Sequence, residues 1–325
     1  ALIWLGTGIL GGLPYILDTG MNPADALFES ISGFTTTGST TVAQIEDPEV
    51  GLSRPVLLWR SLTQWLGGMG IVVLFVAIFP NIGVGGKHLY RSEAPGPAGS
   101  GLRPRIAETS LFLWRLYGVF TVLLFVLLWL QGMSLFESLC HAFTGMATGG
   151  FSTRDTSIAA FDSVGIELTL ASFMLMSGVN FSLYYGALKS RSLRIFGRST
   201  EFRVYLGLLV AATIGLTIFI TPYPHESIWM ALRKGFFMAV TTITSTGYAT
   251  DSSANYGPVG LTIVLMLMFI GGSAGSTSGG MKVARIVLIL KMVYAQTRIS
   301  FRPSVVHVIR MSGKAVNQSV IAEVG

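Results

Sequence analysis

Apolar residues run along this chain in long stretches separated by short polar ones, and within each stretch the pattern is helical or unbroken rather than alternating. Residues 54–79, 106–131, 165–188 and 202–220 each approach the roughly 20 apolar positions that carry a helix across a bilayer. Residues 256–270 and 281–294 read as two halves of one further crossing, interrupted by GGSAGSTSGG. Residues 1–17 are uncharged and short of a full span; they read as the cut end of a membrane helix, with neither the basic start nor the cleavage site of a signal peptide. Three shorter amphipathic segments, 22–32, 134–146 and 226–242, read as short helices, the first with Asn22 placed to cap and Pro23 at its first helical position. Each runs into a loop rich in glycine and hydroxyl residues: ISGFTTTGSTT, HAFTGMATGGFST and AVTTITSTGYAT.

The order span, short helix, glycine loop, span therefore repeats, with Gly38, Gly150 and Gly247 about a hundred residues apart. This predicts an all-α polytopic membrane protein whose units surround a pore. It divides into a first unit at 1–79, a loop at 80–105, a second unit at 106–190, a loop at 191–201, a third unit at 202–297 and a segment at 298–325. Backbone that is neither helix nor closed barrel is tolerated at membrane depth only where it lines a watery cavity or is buried in protein. A ring of carbonyl oxygens replaces the hydration shell of a monovalent cation, and glycine lets the backbone turn those oxygens inward. The candidate filter is thus Thr36, Thr37, Gly38, Thr148, Gly149, Gly150, Ser245, Thr246 and Gly247, with a monovalent cation expected on the carbonyls of Thr37, Gly38, Gly149, Gly150, Thr246 and Gly247. The hydroxyls of these loops either lie at the lipid interface or hold neighbouring carbonyls in place.

Composition agrees: the 325 residues are 51% hydrophobic and only 12% charged, with a mean hydropathy of +0.62, which excludes a soluble globule. Sixteen of the 22 lysines and arginines fall at 87–105, 189–203 and 282–314, which places those segments in the cytoplasm and the glycine loops outside. The net charge of +6 follows from that topology and not from nucleic-acid binding. Arg115, inside a span, must snorkel or face protein. One cysteine, Cys140, and four scattered histidines exclude a disulfide framework and a zinc site, so His141 is expected to pack behind the filter. Met266, Met268 and Met281 are expected in helix packing. Glu29 and Glu137, both in the word LFES, either form an outer cation-attracting ring or cap and pair within the short helices. Asp251 either attracts cations or forms a turn with Ser252 and Ser253. An enzyme is the rival class, but GSTSGG is not G-x-S-x-G and the run before Lys282 lacks P-loop spacing.

The interrupted crossing cannot be a fresh filter unit. The distance from Gly247 to Gly275 is too short for two spans of roughly 20 residues and a short helix. Gly271, Gly272, Ser273, Ala274, Gly275, Ser276, Thr277, Ser278, Gly279 and Gly280 are instead expected to break the third unit's inner helix and act as a gate, with Lys282 at its cytoplasmic end.

The words ALFESISGFTTTGST, WRSLTQWLGGMGIVVL, YRSEAPGP, HAFTGMATGGFST, STGYATD and MFIGGSAGSTSGGMKVARI resemble the Trk/Ktr/HKT superfamily of potassium transporters, most nearly the pore subunits of the bacterial Trk system. The resemblance spans essentially the whole chain. It implies a potassium channel folded from one chain, with four units and a filter glycine in each, matched here by Gly38, Gly150 and Gly247. It also implies potassium uptake through a bacterial inner membrane, a homodimer in the lipid bilayer, and a ring-forming cytosolic regulatory subunit of the TrkA type that carries the only nucleotide. No covalent cofactor is implied. Some plant relatives carry sodium and commonly have serine at the first filter glycine, where this chain has Gly38. The family's gate segment usually reads GSTGGG, against GSTSGG here, so Ser278 departs from it. A fourth filter loop and the pore-facing arginine of the family's final helix are expected outside these residues, which makes the sequence a fragment of a longer protein.

Overall fold

The computed structural model describes residues 2–47, 51–68, 70, 106–220, 227–301, 310–311 and 314–315. The inner part of the first unit's second span, the basic loop with Lys87, Arg91, Arg103 and Arg105, Pro222 and Pro224, and Arg302 lie outside them. In chain order the helices are α1 (Leu2–Thr19), α2 (Pro23–Phe34), α3 (Arg54–Gly68), α4 (Ile106–Leu130), α5 (Leu135–Met146), α6 (Val164–Ser177), α7 (Phe181–Ser190), α8 (Arg194–Arg198), α9 (Thr200–Phe219), α10 (Ile228–Ile243), α11 (Gly257–Ile270) and α12 (Val283–Phe301). Short 3-10 turns lie at Ser157–Phe161 and Ser253–Tyr256. Among the described residues the only strands are β1 (Arg310–Met311) and β2 (Lys314–Ala315), a two-residue antiparallel hairpin. The fold is otherwise wholly helical, as expected.

Leu111–Leu130 and Thr200–Phe219 are long and apolar enough to cross a membrane. Their outward faces are apolar as well: Val119, Val122, Leu130, Val210, Ile214 and Ile218 are all exposed. Helices that show apolar residues on both faces have lipid, not water, as their surroundings. Residues 165–188, expected as one span, are instead two helices bent by 85° at Gly178, Val179 and Asn180. Asn180 caps α7 by accepting from the Ser182 amide at 2.9 Å, so the chain restarts as a new helix there. One core runs through the second and third units, with Tyr117, Leu128, Met146, Leu170, Tyr205 and Val240 fully enclosed, and the first unit has a smaller core of its own around Tyr15, Ala26 and Val56.

Glycines set the closest helix contacts. On α1, an added Cβ at Gly11 would lie 2.4 Å from the Ser30 hydroxyl of α2, and at Gly12 it would lie 3.2 Å from the Ala26 carbonyl. A stripe of small residues thus lets α2 seat against α1 at backbone distance. Arg115 is exposed on α4 rather than turned into the protein, which leaves the snorkelling arrangement. The expectation for the methionines fails: Met266, Met268 and Met281 are 62%, 58% and 48% exposed, on the outer surface of α11 and the segment after it. Flexible thioethers suit a lipid-facing surface as well as they suit a core.

Candidate ion-conduction site

The three short helices α2, α5 and α10 end in one and the same way. After α2, the Thr36 amide donates to Gly33 O and the Thr37 amide to Ser32 O, at 3.0 and 2.9 Å. After α5 the pairs are Thr148 to Gly145 and Gly149 to Thr144, at 3.2 and 2.9 Å. After α10 they are Ser245 to Thr242 and Thr246 to Thr241, at 2.9 and 2.8 Å. This is the Schellman pattern, whose left-handed position is normally glycine. Here Thr36, Thr148 and Ser245 occupy it, with φ of 54°, 52° and 57°. A side chain in that region costs roughly 1–2 kcal/mol, and such strain gathers where function fixes the backbone. Two residues on, Gly38, Gly150 and Gly247 turn left-handed again, at φ 76°, 78° and 84°. Each loop therefore leaves a helix C-terminus, the end that carries roughly half a negative charge and favours cations.

The loops stand side by side. An added Cβ at Gly38 would lie 2.0 Å from Gly149 O, and at Gly150 it would lie 1.8 Å from Thr246 O. Only glycine allows each loop that approach to the next one. At Gly247 an added Cβ meets nothing within 4 Å among the described residues, so among them the row is open on its third side. In the second and third loops the residue after the glycine reaches back to the preceding unit. Phe151 packs against Gly33 of α2, and Tyr248 reaches Gly145 of α5, at the same place in the two helices. Tyr248 Oη also pairs with Thr144 Oγ1 and donates to His141 O.

Behind the loops, the fastenings differ. In the first unit Glu29 is fully buried and accepts from Thr40 Oγ1 at 2.6 Å and from the Thr41 amide at 2.7 Å. Its other oxygen meets Arg60 Nε of α3 at 3.0 Å. Arg60 in turn donates to Ser152 O of the second loop at 3.2 Å and lies 3.5 Å from the Phe151 ring centre. In the second unit His141 Nε2 bonds Ser152 Oγ at 3.0 Å while Nδ1 sits 2.8 Å from Glu137 O. Laying Gly38 on Gly150 superposes Glu29 on His141 and Thr40 on Ser152, so these two ties are equivalent. In the third unit the matching residues are Met238 and Ala249, which cannot form one.

That register corrects the reading of LFES. Glu29 and Glu137 are one helical turn apart in their respective units; the residue that matches Glu137 is Asp25. Glu137 forms a capping box with Ser134 and pairs with Arg154 at 2.6 Å, while Glu29 pairs with Arg60, which is the capping and pairing reading. Arg154 also holds Glu46 at 2.6 Å on the exposed rim, and its hydrogen bond keeps the Glu46 carboxyl below its ordinary pKa. Asp251 accepts from the Ser252 amide and Asn255 Nδ2 and pairs with Lys234 at 3.0 Å, which is the turn-forming reading. The hydroxyls mostly support: Thr35 and Thr37 pair at 2.7 Å, as do Thr244 and Thr246.

The 271–282 segment does break the helix, and it fits into the other break. Ser273 and Thr277 amides donate to Gly178 O and Ser177 O, at 2.9 and 3.2 Å, and the Phe181 amide donates to Gly275 O at 3.1 Å. Gly271, Gly275, Gly280 and Lys282 take positive φ, and Lys282 Nζ donates back to Ser278 O. The segment touches the loops directly. Thr277 Oγ1 lies 3.2 Å from Thr148 Oγ1 and 3.3 Å from Met146 O, and an added Cβ at Gly279 would be 3.4 Å from Ser245. Gly272, Ser273, Ala274, Ser276 and Ser278 complete it, with Ser273, Ala274 and Ser278 buried.

Sequence reasoning expected α3 as part of a span but missed its role as a brace. Gln64 Nε2 donates to Gly149 O at 2.8 Å and its Oε1 accepts the Phe151 amide at 3.2 Å, bracing the second loop. An added Cβ at Gly67 would lie 2.1 Å from Phe34 O, and at Gly68 2.8 Å from Ala147 Cα, so α3 rests on two loop origins at once. The signal was present: Arg60, Gln64 and the glycine pair recur at helical spacing inside an apolar span, and a polar stripe there marks a face turned from lipid.

Comparison with known proteins points the same way. The family model described as TrkH, cation transport protein, matches residues 13–232 and 220–324. The Trk system potassium uptake protein TrkH of Escherichia coli is 40% identical over 328 residues, covering 99% of this chain and 67% of that protein. The protein of that name from Vibrio parahaemolyticus is 37% identical, covering 98% of this chain and 66% of its own length. The crystal structure of the potassium transporter TrkH from Vibrio parahaemolyticus superposes with a TM-score of 0.85 at 34% identity, over 99% of this chain and 66% of that one. The chain thus spans about two thirds of the length of these relatives. Three filter-like loops on matching helix ends, the family match and the whole-chain structural likeness agree: the chain belongs to the TrkH family of cation transport proteins, which are transporters and not enzymes.

Proposed function

We propose that the protein of which these residues form part takes up potassium across the cell membrane, driven by the membrane potential. One observation carries this: three loops with identical hydrogen-bonded caps each present a left-handed glycine at the same position, side by side. Carbonyls of Thr37, Gly38, Gly150, Thr246 and Gly247 supply the ion's ligands. Gly149 O joins them with one lone pair, since Gln64 takes the other. The open side at Gly247 suits a fourth loop of the same kind. The units are those of residues 1–79, 106–190 and 202–297, and residues 271–282 are the gate, because they press on the origin of the second loop through Thr277. An inner-membrane homodimer with a nucleotide-binding cytosolic subunit is the assembly that suits the basic residues Lys189, Arg191, Arg194, Arg198 and Arg203 around α8.

Replacing Gly38 by serine in the complete transporter is expected to raise sodium flux relative to potassium. The added side chain meets Gly149 O and moves two neighbouring ligands. Ion flux into proteoliposomes checks it; an unchanged ratio removes Gly38 from the filter.

A further inference from the structure

We propose that Glu201 is a latch: its carboxylate clamps the 271–282 segment in the break between α6 and α7, and so sets how often the conduction path opens. The inference rests on reading that segment as the gate. Glu201 lies in the first turn of α9, behind the Ser199 cap, and its side chain is buried. A carboxylate at a helix N-terminus is favoured by the helix dipole alone, but that needs no contact with any other element. This one reaches out. Its Oε1 accepts the Ala274 amide at 2.6 Å, in the middle of the segment. The Asn180 side chain, from the break, and the Ala284 amide, from the first turn of α12, also serve it, and the Lys282 ammonium is near enough to act on it. One buried group thus ties together the segment, its seat and the helix that follows.

The other contacts between segment and seat are neutral: three backbone bonds, from Ser273, Thr277 and Phe181, and the Thr277 hydroxyl contacts. A hydrogen bond to an ionised acceptor is roughly twice as strong as these. A retreating segment also takes the Ala274 donor away from a carboxylate in a buried place, where a less well matched charge is costly. The closed position therefore owes more to Glu201 than to any single backbone bond. Lys282 closes the other end, donating to Ser278 O, so the polar core of the segment is held from both sides.

The test uses the complete transporter in proteoliposomes, with no cytosolic partner added. Glu201→Ala is expected to raise potassium flux about tenfold, the effect of losing one charge-assisted bond on a closed-to-open ratio, with the potassium-to-sodium ratio unchanged. General damage to the fold would lower flux or selectivity instead. Glu201→Gln, which keeps an oxygen but not the charge, is expected to raise flux by a smaller factor, and it decides the matter should the alanine variant fail to assemble. On a background lacking residues 274–278, Glu201→Ala is expected to add nothing. If that deletion by itself leaves flux at the parental level, the gate reading fails. If the deletion raises flux while folded Glu201→Ala and Glu201→Gln both conduct like the parent, the latch alone is overturned.

Discussion

The first and third loops share a backbone and almost nothing else. Both leave their helix through the same pair of cap bonds and both turn at a left-handed glycine. The first is fastened from within its own unit by an ion pair, Glu29 with Arg60, through Thr40 and Thr41. The third has Met238 and Ala249 at those places and is held from outside: the Ala249 amide accepts no help from α10 but donates to Ser157 Oγ at 3.2 Å, and its carbonyl takes the Ala159 amide at 3.1 Å. The second loop lies between the two cases, with one neutral bond from His141. A repeated backbone conformation thus needs its cap to be repeated and leaves its anchorage free to vary. The third loop, least anchored to its own helix, is also the one whose Ser245 faces Gly279 of the interrupted segment.

Arg60→Ala breaks the comparison at its strongest point. It leaves Glu29 charged and buried without its partner, and is expected to cost about 3–5 kcal/mol. Thermal unfolding of the purified protein in detergent checks this. Adding Glu29→Gln to Arg60→Met should recover part of the loss, because no uncompensated charge then remains. A single variant as stable as the parent would mean that the ion pair anchors nothing. His141→Ala removes the weaker, neutral tie and is expected to cost about 1–3 kcal/mol, with a fall in the potassium-to-sodium ratio smaller than that from Gly38→Ser. Flux measured with both cations in parallel decides whether the second tie matters less than the first.

The smallest effect belongs to the rim. Burial does little at Glu46; the Arg154 hydrogen bond holds its carboxyl below the ordinary 4.5. The stabilisation is therefore complete above that value and is lost as the pH falls through the lowered folded one. Parent and Arg154→Ala should differ slightly in melting temperature at pH 7 and converge as the pH falls below the lowered folded value of Glu46. Exposed pairs of this kind contribute little, so a large difference at neutral pH would show that the rim, and not only the buried ties, anchors the loops.

Much of this was legible in the sequence, and the reasons are local. Asn22 with Pro23, and Ser134 with Glu137, announce helix starts wherever they stand, since capping depends on neighbours a turn away. The three glycine loops stood out because hydroxyl and glycine runs are rare in an apolar chain. What depended on distant partners was not legible. The words around Gly178 read as a continuous apolar span, and only the segment that docks there explains the bend. LFES misled because a shared four-letter word outweighed register counted from the glycines. Arg60 and Gln64 did not stand out as braces, because their partners are a carboxylate and carbonyls of other segments.

The aromatic residues after the second and third filter glycines, Phe151 and Tyr248, have a consequence for biosynthesis. The niche at Gly33 is filled by Phe151, and the niche at Gly145 by Tyr248, so α2 and α5 each receive a wall from the unit translated after them. Neither of these two units has all its walls when its own last residue leaves the ribosome. The niches close in the order of synthesis, and a stall between units leaves the earlier short helix without that support.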